Sequence, residues 1–98
     1  MLLDRVKVAC RVTSTAYDTE LIDLLESAFA DIGITDVKPE LLTEDAPALV
    51  QRAVITYVKM NFGYLDSDVY YRLKASYDEQ KQQLLMSSEY TKWGELNA

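Results

Sequence analysis

The chain has 98 residues, 49% of them hydrophobic, and a formal net charge of −6. That is enough apolar material to build one core without staples and too much for a disordered chain. The acidic balance argues against a free-standing nucleic-acid binder, whose affinity rests on basic contacts to phosphate. No apolar run is long enough to span a membrane. Asp4, Arg5, Lys7 and Arg11 interrupt the stretch that a signal peptide keeps apolar, so no secretion signal is expected. The lone Cys10 has no partner for an internal disulfide. Together these features fit synthesis in a reducing cytoplasm.

Residues 1–13 fit two periods. Val6, Val8, Cys10 and Val12 alternate with polar or small residues as a strand does, while Leu2, Leu3, Val6, Ala9 and Cys10 share one face of a short helix. Residues 13–18 are a polar break in which Asp18 or Thr15 can cap the next helix. That helix is expected over Thr19 to Ile32. Leu21, Ile22, Leu25, Ala28, Phe29 and Ile32 lie on one side, Glu20, Asp23, Glu26, Ala30 and Asp31 on the other. Gly33 reads as its left-handed terminator. The helix and its cap carry Asp18, Glu20, Asp23, Glu26 and Asp31 and no base. This is either a solvated face or a surface that repels DNA or meets a basic partner.

Residues 34–44 form the longest connection, interrupted by Pro39 and pinned by Ile34, Val37, Leu41 and Leu42. The next helix is expected from Asp45, its cap, to Gly63, its end, with Pro47 in the first turn. Ala46, Leu49, Val50, Ala53, Val54, Tyr57 and Met60 make one apolar face, and Ile55, Val58 and Phe62 a second strip. Arg52, Thr56 and Lys59 fill the narrow gap between them. A helix apolar nearly all round is a buried one, so this element is expected at the centre of the domain.

A short turn capped by Asp66 or Ser67 leads to a last long helix, Asp68 to Ser87, in an antiparallel hairpin with the central helix. Val69, Tyr70, Leu73, Tyr77, Gln80 and Leu84 face the core, and Asp68 and Arg72 are spaced for an ion pair. Tyr71, Ala75, Gln82 and Met86 fall outside that face, as exposed residues of a monomer or contacts of an oligomer. The tail keeps Tyr90, Trp93 and Leu96 at a spacing of three. Such aromatics either fold back on the core or anchor a partner.

No catalytic constellation is present, so an enzyme is not expected. The chain has no His, one Cys, and three glycines that stand apart at 33, 63 and 94. This removes the usual general base, a Cys–His couple, the common zinc sites and a phosphate loop. Asp66 and Asp68 lack the remaining ligands of a calcium loop. Neither metal nor cofactor is expected.

Residues 3–34, with a short first helix, an acidic cap and an Asp/Glu/Ala-rich amphipathic helix, resemble the N-terminal half of phage head–tail connector proteins, also called head-completion or adaptor proteins. Residues 49–84 resemble the second half. Arg52-Ala53-Val54, Tyr57-Val58-Lys59 and Phe62-Gly63 are followed there by an acidic turn and a Tyr-rich helix, and Tyr90, Thr91, Trp93 and Gly94 fit the family's tails.

The resemblance implies an all-α bundle of about four helices, with residues 1–12 helical and a long loop between helices two and three. It implies a helical connector domain over 1–87 and a C-terminal docking tail over 88–98. It implies a structural virion protein in the neck, made in the bacterial host cytoplasm. Such proteins form a closed ring of about twelve copies under the portal, by heterologous contacts. The ring links the DNA-filled capsid to a stopper or tail-completion protein, and DNA passes through without specific binding.

On that reading Tyr90, Trp93 and Leu96 dock on the portal. Arg52, Lys59, Tyr71, Gln82 and Met86 are subunit contacts, and Glu20, Asp23 and Glu26 face the channel. Two rivals stand beside it: an intracellular helical interaction module with a regulatory role, and a DNA-packaging accessory protein. Net charge weighs against the second.

Overall fold

The computed structural model describes residues 2–96. Five helices follow in order: α1 Leu2–Ala9, α2 Asp18–Gly33, α3 Ala48–Asn61, α4 Ser67–Leu85 and the short α5 Lys92–Leu96. Two 3₁₀ turns, Thr15–Tyr17 and Pro39–Leu41, precede α2 and interrupt the long loop. The all-α expectation holds.

Helical period wins over strand period in α1. Leu2 and Val6 are buried, whereas Val8, which a strand would place beside Val6, is 78% exposed. The helix closes on a Schellman arrangement: the Arg11 amide donates to Val8 O and the Val12 amide to Lys7 O. Arg11 takes the left-handed position, φ +59°, where glycine is usual.

The central placement of α3 also holds. It packs against α1, α2 and α4, and Val50, Ala53, Val54 and Val58 are fully buried. Thr56 departs from its expected place in the polar gap: it is buried, with its hydroxyl donating to Arg52 O at 3.0 Å. A satisfied hydroxyl makes that burial cheap. Leu21, Leu25, Ala28 and Ile32 of α2, and Tyr77 and Leu84 of α4, complete the core. Tyr77 meets Tyr57 of α3 edge to face, 5.4 Å between centroids.

The helix ends differ from expectation. Ser14, not Asp18 or Thr15, supplies the capping oxygen, and it caps the 3₁₀ turn by accepting from the Ala16 amide at 3.0 Å. Asp18 is the first residue of α2 and turns to Lys7 instead. Gly33 lies inside α2 without a positive φ. The helix therefore runs further than expected and carries Ile34 off the core, 85% exposed, so Ile34 does not pin the loop.

Asp45 does not cap α3. Its amide donates to Thr43 Oγ1, and the helix starts behind Pro47, whose extended backbone occupies the capping position. Gly63, at φ +71°, does end the hairpin's first arm in the left-handed region. Asp66 occupies the capping position of α4 through its carbonyl, which accepts from the Tyr70 amide, and not through its side chain. The ion pair on α4 is Lys74–Asp78 at 3.2 Å; Asp68 and Arg72 do not pair.

Candidate functional site

The tail is built onto the long loop. The Lys38 amide donates to Tyr90 O at 2.8 Å and the Lys92 amide to Asp36 O at 2.9 Å, forming an isolated antiparallel bridge between Val37 and Thr91. The Asp36 carboxylate accepts from the Trp93 amide at 2.9 Å. Thr91 is buried and acts as the cap of α5: its hydroxyl donates to Ser87 O and accepts from the Gly94 amide, both at 3.1 Å. Gly94 is obligatory, since a Cβ there lies 2.2 Å from the Ser88 carbonyl oxygen.

Of the three anchors read from the sequence, Tyr90 is half-buried against the core. Trp93 is 66% and Leu96 86% exposed. Ile34 and Met86, both exposed, lie at the same end, where α2 and α4 stop. Asn97 and Ala98, the last residues of the expected docking tail, lie outside the described residues.

The acids of α2 divide into two sets. Asp18 pairs with Lys7 at 2.7 Å, and Asp31 with Lys81 at 3.2 Å. Asp31 also accepts a short hydrogen bond from the Tyr77 hydroxyl, and the Lys81 ammonium sits 4.7 Å over the Tyr77 ring. Burial alone raises the Asp31 carboxyl, but the Tyr77 hydroxyl and the Lys81 charge outweigh it and hold the group below its ordinary range. Burial, followed by the same carboxylate, pushes the Tyr77 phenol up, so it remains a donor. Glu20, Asp23 and Glu26 stay exposed and form no ion pair among the described residues.

Arg52 and Lys59 are exposed on α3 on either side of Ile55. Arg5 donates to the side chain of Gln51, tying α1 to α3. Cys10 is half-buried beside this face. Its burial pushes the thiol up, with Lys59 only partly opposing, so it stays protonated at neutral pH. Tyr71, Gln82 and Met86 are exposed along the outer side of α4.

Sequence reasoning missed a groove of about 740 Å³. It is open and lies at the α3–α4 turn between Met60, Gly63–Asp68, Tyr70 and Tyr71. Tyr64 stands 91% exposed at its rim; only a loop position one residue past Gly63 hinted at it. The described residues hold no group of three or more side chains suited to a metal, and no helix long and apolar enough to cross a membrane.

A protein-family model described as "Phage connector protein" matches residues 2–91. No curated protein and no solved structure matches the chain.

Proposed function

We propose, for a chain that belongs to the phage connector proteins, the specific role of an adaptor: a subunit of a closed ring that sits under the portal and carries the stopper or tail-completion protein. The family is a structural kind of protein, and the chain is a connector-type component of a phage. The adaptor step rests on one observation. Trp93 and Leu96 project into solvent from a tail that backbone hydrogen bonds and a threonine cap hold in place. An exposed aromatic already held in place by hydrogen bonds loses less entropy on binding than one on a free tail, which is what a docking anchor needs.

Both anchors lie beyond the family match, which ends at Thr91, so this chain's own tail carries the docking step. Ring closure by heterologous contact uses two different surfaces of one subunit. Arg52 and Lys59 on α3, and the outer row Tyr71, Gln82 and Met86 on α4, are the subunit contacts in this reading.

The test is a binding measurement between the full chain and the portal of the same phage. Replacing Trp93 and Leu96 together by alanine removes two exposed side chains, so helical content stays unchanged and affinity falls about a hundredfold or more. Unaltered affinity refutes the docking role.

A further inference from the structure

We infer that the groove between α1 and α3 receives the outer face of α2 from a second copy of this chain; the inference rests on the adaptor reading and names the partner of its α3 residues. The groove is about 410 Å³ and is floored by Val8, Ala9 and Ile55. Val8 stands 78% exposed there, an apolar β-branched side chain left mostly uncovered by the described residues. Arg5 and Asp4 line one edge, and Arg52 and Lys59 flank Ile55 on α3. A second hollow, about 260 Å³, continues past Ala9 to Arg11, Lys59 and Phe62. Arg11 holds its guanidinium at that end in a left-handed backbone position that disfavours a side chain. The surface therefore has an apolar floor and a rim of four bases with one acid.

The complementary surface is on the same molecule. Glu20, Asp23 and Glu26 are exposed on α2 with no base among them, and the part-exposed Ile22 lies one turn from Glu26. An apolar edge at Ile22 beside a row of acids matches the groove's apolar floor and opposes its basic rim in sign. The two faces also point apart. Arg52, Ile55 and Lys59 lie across α3 from Val50 and Val54, and Asp23 lies across α2 from Leu21 and Leu25, which are in the core. Two complementary surfaces on different sides of one subunit give a head-to-tail contact, the kind that closes into a ring. The acids of α2 thus serve the subunit contact and not the channel wall.

Disulfide capture tests this without requiring a stable oligomer. In a full-length Cys10→Ser background, one chain carries Val8→Cys and another Ile22→Cys. The mixed pair should cross-link about tenfold faster than either chain with itself at low salt, and the preference should fade at about 1 M salt. Adding Asp23→Lys and Glu26→Lys to the Ile22→Cys chain should abolish the preference. Adding Arg52→Glu and Lys59→Glu to its Val8→Cys partner should restore it. Equal rates for all three pairs, or rates indifferent to charge reversal, overturn the inference, as does capture of DNA by the basic face in place of a second copy. If the chain is counted in virions at portal copy number while the preference is absent, the adaptor reading survives and the face assignment fails. If the preference is present and the chain is missing from virions, the pairing stands and the adaptor reading fails.

Discussion

The hub around α3 and the clip between the tail and the long loop hold together by different means. The hub is made of Val50, Ala53, Val54 and Val58 enclosed by three other helices, and its stabilisation comes from apolar burial. The clip is made of backbone hydrogen bonds from 36–38 to 90–92, one threonine cap and one close glycine contact, with Val37 as its buried apolar residue. A region of that kind opens locally well before the fold does. The contrast suits a connector. On the proposed adaptor reading the hub is the rigid body of the subunit, and the clip holds Trp93 and Leu96 in place until the portal covers them.

The largest expected effect lies in the hub. Leu21→Ala removes a fully buried side chain and should cost about 2–5 kcal/mol in chemical denaturation, with every probe moving together. Gly94→Ala should act in the opposite manner. Its Cβ collides with the Ser88 backbone, so hydrogen-exchange protection at 36–38 and 90–94 is lost and Trp93 fluorescence shifts, while the global midpoint moves by less than about 1 kcal/mol. A global collapse in Gly94→Ala would erase the distinction between the two regions. Thr91→Val keeps the shape and loses the cap, at about 1 kcal/mol confined to the clip. Arg11→Gly relieves a left-handed position and should stabilise the chain by up to about 1 kcal/mol on thermal denaturation.

The smallest effect is the pH dependence from Asp31. Its carboxyl is depressed in the folded state, so its contribution is present above the unfolded value near pH 4 and is lost as pH falls through the folded one. With the side chain 36% exposed, solvent screening keeps it well under about 1 kcal/mol. Asp31→Asn should flatten stability against pH only in that acid window.

The hub was legible in the sequence because its signal is local. The apolar residues of α2, α3 and α4 recur at helical spacing, and the central place of α3 follows from its two apolar sides. The first segment was not decidable by pattern, since Val6, Val8 and Cys10 satisfy both periods; burial of Leu2 and Val6 against exposure of Val8 decides it. Helix ends were misread at Asp18, Gly33 and Asp45. A capping residue competes with ion pairs and with proline, and Lys7 and Pro47 won. The clip was not legible at all. It joins residues more than fifty positions apart through backbone groups, which carry no sequence signature. Of the site residues, the polar placement of Arg52 and Lys59 was readable from spacing, whereas a spacing of three left Trp93 and Leu96 equally able to fold back or to stay exposed; their exposure decides it. The pairing of Asp31 with Tyr77 and Lys81 required the packing of α2 on α4.

The most direct measurement is the copy number of this chain in purified, tailed virions of its phage, by quantitative mass spectrometry against the portal protein. A closed ring on a symmetric portal requires about one copy per portal subunit, and that ratio is the expected result. A chain abundant in the lysate and missing from the particles would contradict it.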